Sequence, residues 1–444
     1  MRKQKNSGIR LRLAHFAPVV VILFTCFATS PRFLPADLTA EQNGEICEAA
    51  WKAVRDNFYD SRFRGVDWDQ VRSDYLPRFK RAGSRADVAT LLRRMLGELH
   101  ASHTQFRTAE EIQLYRNILP FFFERRSGRV FVADPLPPAA SGRLAFGDEI
   151  TGIEGADVSA LVLPLFNRIY TPQGNPFFGP RDSGARLEVV RGMKPVWVSV
   201  PRVARLGGVE VARLDAQPSN IGVLRLVCIG GDIGPAMLRG LMERASGLDG
   251  LVIDLRFNSG GDIRGSLPLA GMLLGPGKHF YSELPRDGAT APVFRFTDCD
   301  YSRLLAGLIE KGVQVQFVTC AETVRFEKPV ALLVNEHTES EAELFAAAIK
   351  EYGRARVFGA RTAGATCGWS RALSLPHGMG TVAVPFTSSR SATGKDYEGM
   401  GIEADETIEN RIEDFQARRD RVLEAALGYL KSLARRPNSA RANR

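Results

Sequence analysis

Three kinds of hydrophobic spacing follow one another along the chain, and each predicts a different kind of structure. From about Leu38 to Glu111, apolar residues recur at three- and four-residue spacing, in Ile46, Trp51 and Val54 and again in Val88, Leu91, Leu92, Met95, Leu96 and Leu99. That period lines one face of a helix, so core-facing helices are expected there. Ser84 with Asp87 three residues on reads as a helix start of the capping-box type. Between about 115 and 203 the runs shorten to Arg129–Ala133, Ala185–Val190 and Val196–Val200, set among Gly and Pro turns, which predicts β-rich structure. From about Val211 to Leu433, continuous apolar runs at Ile221–Val227, Gly250–Leu255, Val330–Val334 and Arg356–Gly359 alternate with helical stretches such as Ser340–Tyr352. Strands buried on both faces and alternating with helices indicate an α/β sheet. A hairpin is expected from Ala372–Leu375 and Gly380–Pro385, and a last helix from about Ile412 to Leu433.

A chain of 444 residues is too long for one ordinary domain, and two or three are expected. The pattern divides it into a helical domain at 38–112, a β-rich domain at 113–205, an α/β domain at 211–433 and a disordered basic tail at 434–444. The formal charge of +9 sits at the ends: Arg2, Lys3, Lys5, Arg10 and Arg12 at one, Lys431, Arg435, Arg436, Arg441 and Arg444 at the other. The body between is close to neutral, and no basic patch with interleaved aromatics argues for nucleic acid. The basic start and the apolar run Phe16–Ala28, too short to span a bilayer comfortably, read as an export signal within residues 1–36. The same residues also read as a retained anchor that tethers the chain to a membrane, and Cys26 gives them a weak lipoprotein box. An exported protein of the periplasm or cell envelope is expected. The cysteines beyond it, Cys47, Cys228, Cys299, Cys320 and Cys367, are scattered and odd in number, so neither a disulfide framework nor a zinc site is indicated. No metal or organic cofactor is expected.

Three stretches carry a resemblance. GLVIDLRFNSGGD at 250–262, KPVALLVNEHTESEAELFAAAIKEYGRARVFGARTAG at 328–364 and YEGMGIEADETI at 397–408 are collinear and in the order of the C-terminal-processing and tricorn-core serine peptidase family, relatives of the tail-specific proteases. The resemblance spans about residues 45 to 430, with Ala404 where the family usually has proline. It implies a multidomain α/β protein whose catalytic domain is of the ClpP and crotonase kind. The segment SGRLAFGDEITGIEGADVSAL, followed by GARLEVVRGMKPVWVSV, resembles a PDZ domain, in which a sheet edge and a nest of amides capture an extended peptide.

The resemblance implies that Ser340, two residues before Ala342-Glu343, is a nucleophile. On local pattern alone Ser340 with Glu343 is also a plain capping box, as is Thr338 with Glu341; the readings are compatible, because a helix start favours an oxyanion. Serine needs a base. The lysine of bacterial tail-specific enzymes falls on Ala365 here, so no Ser-Lys dyad stands at that place. Tricorn-like members instead use a Ser-His pair and a distant acid, and MLGELHASHTQF at 95–106 supplies Ser102 and His103, with Glu398 at the acid position. The implied roles give His103 the proton of Ser340, Ser102 the orienting of the imidazole, and Glu398 the polarising of Ser102. His100 competes as base, His337 suits the cleft lining, and Asp396 and Glu403 compete with Glu398. Gly260, Gly261 and the Glu341 amide are the expected oxyanion donors, and Cys367 is expected to be a packing residue. The expected activity is hydrolysis of extended or carboxyl-terminal peptide segments or unfolded protein. The alternative is a catalytically silent member that binds an apolar ligand or a peptide.

Overall fold

The computed structural model describes residues 37–114, 117–138, 140, 142–158, 183–191, 194–204, 210, 212–230, 233–297 and 309–434. The expected export segment, the end of the first PDZ-like stretch, and all but the first residue of the basic tail lie outside them. From Leu38 on, the described residues make one compact unit.

Helices α1 (Ala40–Asn57), α2 (Trp68–Lys80) and α3 (Arg85–Gly97) open it, and each start has a side-chain reason. Thr39 Oγ1 accepts the Gln42 N–H (3.3 Å), Asp67 Oδ1 the Gln70 N–H (2.9 Å), and Ser84 Oγ the Asp87 N–H (3.1 Å). Their apolar faces meet in a core that includes Ile46, Leu92, Met95 and Leu99. Strand β1 (Gln105–Arg107) and the short helix α4 (Ala109–Leu114) follow.

Next come β2 (Asn117–Ile118), β3 (Phe121–Arg126), β4 (Arg129–Pro135), β5 (Glu149–Ile153), β6 (Ala156–Asp157), β7 (Gly184–Arg191), β8 (Lys194–Pro201) and β9 (Val203–Ala204). An antiparallel sheet runs in the order β3-β4-β5-β7-β8, with β6 paired to β5, and it encloses its own small core.

The central sheet runs β10 (Ala212–Ala216), β11 (Ile221–Leu226), β12 (Gly250–Asp254), β16 (Val330–Val334), β17 (Ala355–Gly359), β21 (Glu406–Thr407). All neighbours are parallel except β10 and β11. Every residue of β12 and of β16 is buried, which is why these strands read as unbroken apolar runs. Helix α5 (Pro235–Ala245) joins β11 to β12, α6 (Ile263–Leu274) follows β12, and α7 (Glu341–Glu351) joins β16 to β17. A second sheet, in the order β14 (Val293–Phe296), β15 (Gln314–Val318), β13 (His279–Leu284), β20 (Ser388–Ser391), packs beside it.

The hairpin of β18 (Ser370–Leu375) and β19 (Gly380–Pro385) pairs with β1 instead of extending the central sheet. Its Leu375, Val382 and Val384 complete the core of α1 to α3. Chain segments more than two hundred residues apart in sequence are thereby fastened together at the carboxyl ends of β12 and β16, where open parallel sheets carry their crevice.

The single last helix expected at 412–433 is two, α8 (Ile412–Gln416) and α9 (Arg421–Ala434). Between them Arg418 takes a left-handed φ of 55°. Asp420 then accepts two bonds from the Arg256 guanidinium (2.9 and 2.7 Å) and caps α9 through the Leu423 N–H (3.2 Å). A buried ion pair from the loop after β12 therefore sets the break, and helical periodicity does not register it.

Candidate active site

Ser340 ends the loop after β16 and begins α7 with φ 57° and ψ −125°, a strained backbone for a residue with a side chain. Such a conformation costs on the order of 1–3 kcal/mol and persists only where its surroundings impose it. Here they do. Glu339 N–H donates to Asn258 O (2.9 Å), Ala363 N–H to Thr338 O (3.1 Å), and Ser340 N–H to Glu343 Oε2 (3.1 Å). The buried Glu343 carboxyl also accepts from Thr362 Oγ1, Gly364 N–H (2.8 Å) and Ala365 N–H (2.7 Å). Burial pushes it up to about 7 despite those four donors. The part of the capping box that Glu343 supplies is thus present, while Ser340 Oγ faces His103.

His103 Nε2 lies 3.2 Å from Ser340 Oγ. The imidazole is held in the turn between α3 and β1, where His100 and His103 both have positive φ (47° and 61°) and Leu99 is buried as an anchor. On its other side, His103 Nδ1 is 2.8 Å from Ser102 Oγ, and Ser102 Oγ–H donates to Glu398 Oε2 (2.8 Å). A serine hydroxyl has one proton and a carboxylate has none to give. Ser102 Oγ must therefore accept from Nδ1–H, which leaves the Nε2 lone pair facing Ser340. Burial pushes the imidazole below its ordinary value, with Glu398 opposing and Arg107 adding to the effect, so the ring is neutral at neutral pH.

Glu398 is itself tied down. Its Oε1 accepts the Ser102 N–H (2.6 Å) and its Oε2 the Cys367 N–H (2.7 Å). Asp396, a competing acid, instead accepts the Glu398 N–H (3.0 Å) and pairs with Arg390 (3.0 Å); Glu403 is exposed beside Arg361 (3.8 Å). His100 is exposed, and no bond joins it to Ser340.

The glycine pair abuts the serine. A Cβ on Gly260 (φ +88°) would stand 2.7 Å from Ser340 Cβ and 2.9 Å from Glu339 O. The expectation that Gly260 donates to an oxyanion meets a competing bond, because its N–H already donates to Asn258 Oδ1 (2.9 Å). The amides of Gly261 and of Glu341, the first residue of α7, are the ones left without an internal acceptor among the described residues.

One further reading is corrected. Thr338 does not cap with Glu341: its hydroxyl donates to Leu255 O (2.9 Å) and accepts the Asn335 N–H (3.0 Å), while Glu341 turns inward to Ser266 and Tyr281. His337 is buried and stacks on Phe257 (5.3 Å between centroids), which stacks in turn on Phe122 of β3 (5.0 Å).

The sequence of the central sheet and its surroundings, residues 220–408, matches peptidase family S41, and residues 41–97 match the tricorn protease C1 domain. The chain carries an S41 peptidase region and a tricorn C1 region, and it is a serine-type peptidase. It is 23% identical over 403 residues to a carboxyl-terminal-processing protease of Synechocystis sp., covering 86% of this chain and 84% of that one. A putative tricorn protease homolog 2 of Streptomyces coelicolor is 25% identical over 389 residues, 81% of this chain and 30% of that longer one. Among solved structures, the photosystem II D1 C-terminal processing protease superposes with a TM-score of 0.53 at 21% identity, covering 83% of this chain and 93% of that one. These structural likenesses establish a mixed α/β fold like that of C-terminal processing proteases.

Several residues of this peptidase that shape the site were given no role from sequence. Asn258 and Asn335 hold the loops after β12 and β16: Asn258 Nδ2 donates to Leu226 O (2.8 Å), and Asn335 Oδ1 accepts the Phe257 and His337 amides (3.1 Å each). Each asparagine stands just beyond a strand end, the one available signal. Cys367 is buried as expected, yet its part in the site is its backbone N–H, which no sequence pattern reports. Cys47 and Cys367 are free and Cys320 is disulfide-bonded. No helix among the described residues is long and apolar enough to cross a membrane.

Proposed function

We propose that this peptidase cleaves peptide bonds with Ser340 as nucleophile, His103 as general base and acid, and Ser102 with Glu398 as the pair that orients and charges the imidazole. The observation that carries the reading is the unbroken run of contacts from Ser340 Oγ through His103 and Ser102 to Glu398 Oε2, at 3.2, 2.8 and 2.8 Å. As Ser340 Oγ attacks a scissile carbonyl, its proton passes to His103 Nε2. The imidazolium so formed is stabilised by its Nδ1–H bond to Ser102 and, through Ser102, by the Glu398 charge. Nε2 then gives the proton to the departing amine, and the same groups run in reverse activate a water for deacylation. The carbonyl oxygen, now negative, is met by the Glu341 and Gly261 amides and by the positive end of α7; one well-placed donor contributes about 3–4 kcal/mol.

This arrangement removes the need for a lysine at Ala365, whose amide is engaged by Glu343. The substrate class we assign is extended or carboxyl-terminal polypeptide. Support comes from relatives named for carboxyl-terminal processing and from the β3-β4-β5-β7-β8 sheet, which we read as a PDZ-like module presenting a strand edge to a peptide. Export to the cell envelope, with the amino-terminal segment as signal or tether, completes the reading. Ser340→Ala tests it: turnover of a labelled unfolded polypeptide should vanish, and unchanged turnover would reject Ser340 as nucleophile.

A further inference from the structure

The carboxyl of Glu341 belongs to none of the roles above. It is one residue past Ser340, 6% exposed, and points away from the crevice into the protein. Its Oε1 is bonded to Ser266 of α6 and its Oε2 to Tyr281 of β13 (3.1 Å). Tyr281 is fully buried and packs its ring on Phe317 (4.9 Å between centroids). Two elements that supply no member of the run from Ser340 through His103 and Ser102 to Glu398 thus grip the first turn of α7, at the residue whose amide we assign to the oxyanion.

We propose that Glu341 is a positioning residue for the peptidase reaction, its side chain locking the α7 start to α6 and β13 so that the Glu341 amide stays aimed at the oxyanion. The grip comes with a condition on charge. The groups that act on the carboxyl are acids or neutral: Ser266 and the cap Asp262 on α6, Tyr281 and Glu283 on β13, while Glu343 on α7 itself faces Thr362, Gly364 and Ala365. Among the described residues no cation acts on it; around the same two elements, Arg264 pairs with Asp262 (2.6 Å) and Arg390 with Asp396 (3.0 Å). Burial first, with Asp262 and Glu283 adding and the Ser266 and Tyr281 bonds opposing, pushes the Glu341 carboxyl up to about 8. At neutral pH it is therefore protonated, and its own proton serves one of the two bonds. Above that value it ionises, placing a fixed negative charge on the very residue whose amide must stabilise a second one. The turnover number should then fall as pH rises through about 8.

The inference rests on Ser340 as nucleophile, and the experiment separates the two. kcat and KM of wild type, Glu341→Ala, Glu341→Gln and Tyr281→Phe are measured from pH 6 to 9.5 on an unfolded polypeptide, with Ser340→Ala in parallel and melting temperature as the folding control. Glu341→Ala should lose at least tenfold in kcat with KM within twofold. Glu341→Gln, uncharged and able to keep both bonds, should exceed the alanine variant at least fivefold and show no decline between pH 7.5 and 9. Tyr281→Phe removes a donor to the charged form, so its alkaline limb should move to higher pH; this arm serves if the alanine variant fails to fold. Full kcat in Glu341→Ala, a wild-type alkaline limb in Glu341→Gln, or an unmoved limb in Tyr281→Phe would each overturn the inference. Turnover in Ser340→Ala would instead remove the nucleophile reading beneath it.

Discussion

Ser102→Ala isolates the least familiar member of the relay, and its effect follows from the bonds it breaks. The hydroxyl accepts His103 Nδ1–H at 2.8 Å and donates to Glu398 Oε2 at 2.8 Å; alanine removes both. It leaves the acid in place, because the Ser102 N–H (2.6 Å) and the Cys367 N–H (2.7 Å) still hold Glu398. In the ground state the lost bond is neutral, whereas in the transition state it supports an imidazolium. A hydrogen bond to a charged group contributes about 1.5–3 kcal/mol net. At about 1.36 kcal/mol per tenfold, that is a loss of roughly 10- to 150-fold in kcat. Because the site groups that would meet substrate are untouched, KM should change little. Initial rates on a fluorogenic unfolded polypeptide, with thermal melting as control, give the answer. A loss below threefold, or one carried by KM alone, would refute the claim that Ser102 transmits the Glu398 charge to the imidazole.

Two other outcomes follow from the same geometry. The imidazole must be neutral to act, and burial lowers its pKa; the acid limb of kcat/KM should lie below about 6.5, its ordinary value. Glu398→Gln, which deletes the charge that opposes that lowering, should move the limb lower still, and a limb moving upward would contradict the assignment. Gly260→Ala would put a methyl 2.7 Å from Ser340 Cβ on a backbone with φ +88°. We expect more than tenfold loss of kcat and a stability loss of about 1–3 kcal/mol, read by steady-state rates and chemical denaturation; a variant with wild-type rate would show that the glycine loop is free to move away.

What the sequence made legible was what periodicity and short motifs encode. The buried parallel strands β12 and β16 announce themselves as apolar runs, and the residues just past their ends carry the glycine pair and Ser340. Ser102-His103 was legible only through resemblance, since its meaning depends on β1 pairing with β19, a contact that no local spacing reports. Patterns of caps misled where tertiary demands intervened. Thr338 with Glu341 has the spacing of a cap, yet the buried Leu255 carbonyl claims the threonine and Ser266 and Tyr281 claim the acid. The continuous helix expected after Ile412 breaks because Asp420 is drawn to Arg256. Gly260 was read as a donor from its lack of a side chain alone, whereas its amide was already committed to Asn258, and the glycine is needed for close approach to Ser340.

The role proposed for His103, carried by the turn after α3, is to activate Ser340 at the start of α7. Its most direct test is the rate and site of covalent labelling by a fluorophosphonate, read by intact-mass and peptide mass spectrometry in wild type and His103→Ala. A single adduct on Ser340 is expected, formed at least 100-fold more slowly in the variant, in line with the roughly 100- to 10,000-fold that a general base contributes. An adduct at another residue, or equal rates in the two proteins, would contradict it.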